Sequence, residues 1–206
     1  MTVLKRITAL AILSVCLVLS FAFAPAGGYK IGDAVQPFNL KSVSGKMVSL
    51  ADYNKERGLV IVFTCNHCPF AKLYQARINE FNKRYAGKGY PLVAISSNDA
   101  IAVPEDNFEE MIKRAAEEHY SFPYLYDSTQ VIARSYNAIK TPHAFVLQHK
   151  GDKWIVAYSG AFDDNGAEPE KVEHHFVEEA IQDLEAGKPV HTPTTKSVGC
   201  GIKWRN

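Results

Sequence analysis

Two cysteines three positions apart are the residues of this chain best suited to chemistry. Residues 65–69 are Cys-Asn-His-Cys-Pro. The thiolate is the reactive form of cysteine, and a second thiol one helical turn away can close or resolve a disulfide with the first. A structural zinc site would need a further Cys-x-x-Cys, or a histidine pair at zinc-finger spacing from Cys68, and the sequence has neither. Haem attachment needs histidine directly after the second cysteine, where Pro69 stands. The spacing therefore favours a redox pair formed by Cys65 and Cys68.

His67, one residue before the second cysteine, is a candidate for tuning this pair. A protonated imidazole beside a thiolate stabilises the thiolate and lowers its pKa. The alternative is an exposed histidine without a role. Because the motif sets the distance to the thiolate of Cys65, we prefer the tuning role.

A buried strand and a helix must position the pair. The apolar, partly β-branched segment 59–64 predicts the strand. Apolar residues at helical spacing from Phe70 predict a helix over 69–85, and Gly87 stops the pattern. Free backbone N–H groups and the helix dipole stabilise an anion at such a helix N-terminus. We therefore expect Cys65 to be the more exposed thiol, to have a lowered pKa and to form the mixed disulfide that Cys68 resolves.

The remaining pattern predicts an α/β fold in which a mixed sheet is flanked by helices. Strands that alternate with helices imply a βαβ unit, and an antiparallel hairpin follows it. The domain spans 30–187, starts with a hairpin extension, and precedes a tail at 188–206 without regular pattern. The other predicted elements are hairpin strands at 37–40 and 47–50, a strand at 91–96, helices at 105–118, 129–136 and 172–186, and hairpin strands at 144–147 and 154–158.

The first 26 residues predict export. Lys5 and Arg6 precede an apolar run over 7–23, and Ala-Phe-Ala at 22–24 resembles a cleavage site for a signal peptide. The alternative is an uncleaved anchor, because a run of this length is at the lower limit for spanning a bilayer. Either way the folded part is expected outside the cytoplasm, in the periplasm or an equivalent space.

Composition narrows the function classes. The 206 residues are 47% hydrophobic and 22% charged with a net charge of +1, which suits one globular domain and gives no reason to expect a nucleic acid partner. Outside the predicted signal, three cysteines remain, and an odd number argues against a structural disulfide framework. No cofactor and no resident metal are predicted.

The third of these thiols, Cys200, lies in the tail. Gly199 and Gly201 flank it, and Ile202 and Trp204 could anchor the segment by burying apolar area. We expect the tail to fold back, with Cys200 as an auxiliary redox or ligand thiol within reach of Cys65. The alternative is a loose tail with an inert thiol.

The order of elements, with the cysteine pair at the first strand-to-helix turn, resembles the thioredoxin fold. The insertion after the second core strand and the lead-in at 32–38 look like the peroxiredoxin (AhpC/TSA) and TlpA/ResA branch. The motif at 65–69 and the tail at 199–204 are similar to exported peroxiredoxin-like, or redoxin-domain, proteins, over about residues 30–204. The resemblance implies a cis bond at Thr141–Pro142 that faces the cysteines, with both residues shaping a substrate groove.

Two departures from these families bear on function. Peroxiredoxins carry threonine and proline where this chain has Val62 and Gly58, which disfavours a peroxidase. The thioredoxin pattern also expects a buried acid in the strand before the motif, and 59–64 contains none. A catalytic base would have to come from elsewhere, and His67 and His143 are the candidates.

We therefore predict a thiol–disulfide oxidoreductase that uses Cys65 and Cys68, with protein dithiols or disulfides, or a membrane-side reductant, as partners. One alternative is a thiol peroxidase in which peroxide oxidises Cys65. Another is a soft-metal module in which copper is held by the motif cysteines, His67 and Cys200.

Overall fold

The structure is a computed structural model that describes residues 27–205. Its centre is a seven-stranded sheet, and a two-stranded sheet lies beside it. The strands are β1 (Asn39–Ser42), β2 (Met47–Ser49), β3 (Gly58–Thr64), β4 (Leu92–Ser96), β5 (Tyr124–Tyr126), β6 (Lys140–Thr141), β7 (His143–Lys150), β8 (Lys153–Gly160) and β9 (Cys200–Gly201). The helices are α1 (Pro69–Tyr85), α2 (Phe108–Glu117), α3 (Val131–Tyr136) and α4 (Phe176–Glu185).

The sheet is mixed, as the sequence predicts. Its strand order is β2-β1-β5-β4-β3-β7-β8. Strands β3, β4 and β5 are parallel, whereas β7 pairs antiparallel with both β3 and β8. The parallel pairs come from the βαβ crossovers and the antiparallel edge comes from the hairpin, so the predicted fold class is confirmed.

Strand β3 is apolar throughout because it is covered on both faces. All seven of its residues are buried. Val60 and Val62 pack into the cluster that contains Phe81 of α1, and Ile61 and Phe63 pack into the opposite cluster. A strand fixed in this way gives the residue that follows it, Cys65, a defined position.

The ends of two helices differ from the prediction. Helix α2 begins at Phe108 because Asn107 caps it, accepting a hydrogen bond from the Glu110 N–H at 2.8 Å. The preceding residues, Pro104–Asp106, form a separate 3₁₀ turn. Helix α4 begins only at Phe176, after another short 3₁₀ turn. The apolar spacing predicted the faces of these helices but not the caps that start them.

The tail was expected to lack regular structure, but it contains a strand. Strand β9 pairs with β6 in the second sheet. Neither strand was predicted, because two-residue strands carry no periodic signal. Within 27–205, no helix has the length and hydropathy needed to cross a bilayer. The apolar run at 7–23 lies outside the described residues.

Candidate active site

The motif forms the turn between β3 and α1. Cys68 is the N-cap residue of α1, in an extended conformation, and Pro69 occupies the first helical position. Proline suits that position because its missing N–H would have no partner there. The turn therefore places Cys68 at the positive end of a 17-residue helix, where an anion is stabilised.

One residue, Thr141, contacts both sulfur atoms of the motif. Its hydroxyl Oγ1 lies 3.2 Å from Cys65 Sγ, and its carbonyl oxygen lies 3.2 Å from Cys68 Sγ, which donates a hydrogen bond to it when the sulfur is protonated. The Thr141–Pro142 peptide bond is cis, as the thioredoxin resemblance implied. The loop before β7 thus lies directly against the cysteine turn.

Between the two thiols, Cys68 is the better acid. Hydrogen bonds from Cys65, from Cys200 and from the backbone N–H groups of Ala71 and Cys200 lower the pKa of Cys68 to about 4. The pKa of Cys65 is raised, first because its thiol donates to Cys68, then because of burial and the negative charge of Asp106. The reduced pair thus holds its negative charge on the sulfur at the helix N-terminus.

This arrangement corrects one expectation about Cys65: its pKa was expected to be lowered, and it is raised. Cys65 is the more exposed thiol, as expected, but only at 2% against 0% for Cys68, so neither lies open to solvent. Cys68, and not Cys65, is the N-cap residue of α1.

Asp106 is the functional residue that sequence reasoning missed. It comes from the 3₁₀ turn before α2, is fully buried, and supplies the acid that β3 lacks. Its Oδ1 accepts hydrogen bonds from the backbone N–H groups of Asn66 and His67 at 2.6 and 3.1 Å. Its Oδ2 accepts from Asn98 Nδ2 at 2.6 Å and lies 2.5 Å from His67 Nδ1. One buried carboxylate therefore holds the cysteine turn in place.

The sequence indicated that an acid was missing from segment 59–64, but it did not indicate which residue elsewhere would supply one. Segment 105–118 was assigned to one amphipathic helix, in which Asp106 would be an ordinary first-turn acid. Pro104, just before it, could have indicated a separate turn, because proline favours the start of a helical segment. The partners lie 39 and 40 residues away, a distance at which local patterns carry no information.

The two candidate histidines have different surroundings. His67 remains beside the pair, but its ring faces Asp106. His143 begins β7, is buried, and pairs through Nε2 with Ser159 Oγ at 3.1 Å. Burial lowers the pKa of His143 to about 4, so it is neutral at physiological pH. It has no hydrogen bond to either motif cysteine, which favours the interpretation of His143 as a residue entering the strand.

The donor atoms of Cys65, His67 and Asp106 lie within 4.8 Å of one another, a spacing that a metal ion could bridge. However, the Asp106 carboxylate already accepts hydrogen bonds through both oxygens. A metal would have to displace His67 Nδ1 and Asn98 from it. The geometry is therefore explained by hydrogen bonds within the protein.

Pro142 lines a groove of about 430 Å³. Phe70 and Tyr74 of α1 line it as well, together with Phe162 and Val198. Phe70 and Val198 are 42% and 57% exposed, so the groove presents apolar surface to solvent next to the motif. Thr141 is not among its lining residues, and a substrate groove shaped by Thr141 and Pro142 stays a prediction.

The tail does fold back onto the site. Cys200 packs against the cluster formed by Cys65, Cys68 and Ala71. Its hydrogen bond is with Cys68. Because Cys65 belongs to the same cluster, a position of Cys200 within reach of Cys65 stays a prediction. Burial and the charge of Cys68 raise the pKa of Cys200 to about 11. The three described cysteines are free thiols.

Comparisons with known proteins agree with this fold. A hypothetical protein, SMc02350 from Sinorhizobium meliloti 1021, is 33% identical and has a TM-score of 0.78; the match covers 86% of this chain and 96% of that chain. An uncharacterized conserved protein from Geobacillus kaustophilus is 38% identical with a TM-score of 0.78, covering 85% and 93% of the two chains.

More distant structures share the fold alone. A putative thiol:disulfide interchange protein DsbE from Chlorobium tepidum is 21% identical with a TM-score of 0.52, covering 62% of this chain and 84% of that chain. No curated protein matches the chain.

The family assignment comes from a model described as AhpC/TSA family, which matches residues 31–156. This match covers more than half of the chain and includes the strand, the cysteine turn, α1, Asp106 and Thr141. The resemblance to the thioredoxin-like redoxin proteins is confirmed. The chain therefore belongs to the AhpC/TSA family.

Proposed function

We propose that this protein is a thiol–disulfide oxidoreductase whose redox pair is Cys65 and Cys68. Family membership supports a redox function in general. The observation that carries the specific proposal is the contact of both sulfur atoms with Thr141, because it places the two thiols side by side at a helix N-terminus. In the cycle, the Cys65 thiol and the Cys68 thiolate lose two electrons and one proton to become a disulfide. A partner dithiol reduces this disulfide by giving up two electrons and two protons, one to Cys65 and one to solvent.

Cys68 determines how readily the Cys65–Cys68 disulfide forms and breaks. A thiolate attacks disulfides, and a thiol of low pKa is also the better leaving group. The lowered pKa of Cys68 therefore stabilises the reduced state and makes a disulfide to this sulfur oxidising. Cys65, held as a thiol by its raised pKa, is the partner that closes the disulfide.

Asp106 and His67 carry the proton of Cys65 in this proposal. When Cys65 closes or opens the disulfide, its proton must leave or return, and the paired ring and carboxylate lie close to its sulfur. The sulfur, the ring nitrogen and the carboxylate lie within 4.8 Å, which is within reach of a proton transfer through one water.

The peroxidase alternative is less well supported. A peroxidase that uses Cys65 needs a thiolate on that sulfur, and the raised pKa of Cys65 keeps it protonated. Val62 and Gly58 also lack the hydroxyl group and the rigid turn that threonine and proline provide at these positions in peroxiredoxins. Gly58 has a packing reason of its own, since a Cβ there would lie 2.5 Å from the Tyr90 ring.

The test is a redox titration of the full chain with a buffer of reduced and oxidised glutathione, read by mass mapping of the Cys65–Cys68 disulfide. We expect one two-electron transition and catalysed oxidation of a reduced two-cysteine peptide, both lost in Cys65→Ser and in Cys68→Ser. Circular dichroism would show that the variants remain folded. Peptide oxidation at the wild-type rate in either variant would refute the proposal.

Two further measurements test the alternatives. Stopped-flow mixing with peroxide tests the peroxidase, and measurement of bound copper after purification under reducing conditions tests the metal module.

A location outside the cytoplasm is part of the proposal, with protein dithiols and disulfides, or a membrane-side reductant, as partners. The features that support export lie in the first 26 residues. Mass determination of the mature N-terminus would test it, with cleavage near residue 26 expected from the signal and an intact N-terminus expected from an anchor.

A further inference from the structure

The C-terminal strand occupies the backbone edge next to the cysteine pair. Strand β9 runs antiparallel to β6, with Cys200 opposite Thr141 and Gly201 opposite Lys140. The Ile202 N–H continues the ladder by donating to the Ile139 carbonyl oxygen at 3.1 Å. The chain's own tail therefore pairs with the backbone of Thr141, one of the two residues expected to shape a substrate groove.

Gly199 lets the tail approach this closely. A Cβ at position 199 would lie 2.1 Å from the Thr141 carbonyl oxygen, a distance that no side chain tolerates. At Gly201, in contrast, the nearest atom to an added Cβ is the Ile139 carbonyl oxygen at 3.9 Å. The requirement for glycine is therefore specific to the residue before Cys200.

Polar contacts connect the docked tail to the carboxylate under the cysteine turn. The Lys203 N–H donates to Asn98 Oδ1 at 2.8 Å, while Nδ2 of the same Asn98 donates to Asp106. The Lys203 carbonyl oxygen accepts from Gln130 Nε2 at 2.8 Å and from the Asp99 N–H at 2.9 Å. Ile202 is only 5% exposed, so the tail is also anchored by apolar burial.

The docked tail changes which sulfur a partner can reach. Cys65 is 2% exposed and Cys68 is fully buried, whereas Cys200 is half-buried and contacts Cys68. A partner thiol that approaches the folded protein therefore meets Cys200 first. To reach Cys65 directly, it would need the tail to leave Thr141.

We propose that Cys200 is the thiol through which the buried Cys65–Cys68 pair exchanges disulfides with dithiol segments of partner proteins. This inference rests on the proposed function and adds the route that electrons take to the surface. Strand β9 then takes the place that a substrate segment would take along the edge of β6, and it holds Cys200 against Cys68.

The relay has three balanced exchanges in the oxidising direction. First, the Cys200 thiolate attacks Cys68 Sγ, which forms a Cys68–Cys200 disulfide and breaks the Cys65–Cys68 disulfide; Cys65 leaves and takes up the proton lost by Cys200. Second, a partner thiolate attacks Cys200 Sγ and releases the Cys68 thiolate. Third, the partner's second thiolate attacks the mixed disulfide, and the partner disulfide leaves while Cys200 regains a proton. The pair gains two electrons, and the partner loses two.

The charge distribution favours the second exchange. The lowered pKa of Cys68 makes it the best leaving group of the three thiols, so a thiolate that attacks the half-buried Cys200 sulfur displaces a stabilised anion. Cys65 and Cys200, whose pKa values are both raised, are favoured as thiols once the exchange is complete.

The experiment uses full-length protein whose Cys65–Cys68 disulfide has been formed with oxidised glutathione and verified by mass mapping. A reduced synthetic peptide with two cysteines is the probe, and its oxidation is followed in a single turnover for wild type and Cys200→Ser. The relay predicts at least a tenfold slower reaction in Cys200→Ser, and a Cys68–Cys200 disulfide in mildly oxidised Cys65→Ser. If the tail only covered the cysteine pair, Cys200→Ser would react at the wild-type rate or faster, and this result would overturn the relay.

A matched glycine pair separates the position of Cys200 from its presence. Gly199→Ala keeps all three thiols but cannot dock the strand, so the relay predicts slow peptide oxidation and no Cys68–Cys200 disulfide. Gly201→Ala adds the same methyl group without a close contact and should react at nearly the wild-type rate. A faster reaction in Gly199→Ala would also overturn the relay. Failure of the Cys65–Cys68 disulfide to form in wild type would refute the proposed function itself, and this outcome is distinct from an intact pair that does not need Cys200.

Discussion

Asp106 holds His67 by two atoms: its Oδ1 accepts a hydrogen bond from the backbone N–H at 3.1 Å, and its Oδ2 lies 2.5 Å from the ring Nδ1. The His67 ring and the carboxylate therefore form one paired unit beside the Cys65 thiol. The pKa of Cys65 is raised first by its hydrogen bond to Cys68 and by burial, and the negative charge of Asp106 adds to this effect. A residue from the insertion after β4 thus contributes to the raised pKa of Cys65.

The reduced protein should contain one thiolate, on Cys68, from about pH 5 to about pH 8. The reason is that the pKa of Cys68 is lowered to about 4 while those of Cys65 and Cys200 are raised. Ultraviolet thiolate absorbance as a function of pH measures it. We expect Cys65→Ser to keep the signal at neutral pH and Cys68→Ser to lose it. Loss of the signal in Cys65→Ser and its retention in Cys68→Ser would show that Cys65 is the thiolate.

The stability of the reduced protein should depend on pH through Cys68. An unfolded cysteine has a pKa of about 8.5, against about 4 for folded Cys68. Between these values the unfolded state binds one more proton at this position, so stability rises with pH by up to about 1.4 kcal/mol per pH unit. This contribution is complete above about pH 8.5 and is lost as pH falls through 4.

The measurement is urea unfolding of reduced wild type and Cys68→Ser over that pH range. The difference between their free energies of unfolding should grow with pH up to about 8.5. Oxidised wild type, in which the pair has no ionisable thiol, is the second control and should lack the slope. Parallel pH dependences for reduced wild type and Cys68→Ser would contradict the lowered pKa of Cys68.

Asp106→Asn should loosen the cysteine turn and ease the ionisation of Cys65. An amide keeps the shape, but it has only one acceptor oxygen for donors that now use both. We expect a loss of about 2–4 kcal/mol in the free energy of unfolding, because buried N–H groups lose a charged acceptor. Asp152→Asn, at an exposed turn, should change it by less than about 0.5 kcal/mol.

The electrostatic part of this prediction needs a background in which Cys65 titrates alone. In Cys68→Ser, the pH midpoint of Cys65 alkylation should be lower when Asp106→Asn is added, since a nearby negative charge is removed. An unchanged or higher midpoint would show that the carboxylate does not act on Cys65 through its charge.

Ile202→Ala should undock the tail and expose the motif thiols. Ile202 is 5% exposed and is the apolar anchor nearest to Cys200, so its truncation removes buried area beside β9. Ile101→Ala is the matched control, because Ile101 is 83% exposed. Alkylation of Cys68 by iodoacetamide should accelerate at least tenfold in Ile202→Ala and stay within about twofold of wild type in the control. Equal rates in all three proteins would show that the tail does not shield Cys68.

The sequence by itself determined the strand, the cysteine turn and the helix after it. Segment 59–64 and helix α1 carry strong local patterns, and the helix was predicted with its observed bounds. The mixed sheet also followed from the order of elements, because crossovers give parallel strands and tight turns give antiparallel ones. The proximity of Cys65 and Cys68 also followed from the sequence, because the two residues are only three positions apart.

Only the tertiary structure decided how these two thiols differ. Which sulfur carries the charge depends on the N-cap position of Cys68, on the carboxylate of Asp106 and on the thiol of Cys200. Asp106 is brought there by the connection after β4, and Cys200 by a two-residue strand with no periodic signal. Electrostatic effects depend on distance in space, and local sequence patterns do not encode the distances between segments so far apart in the chain.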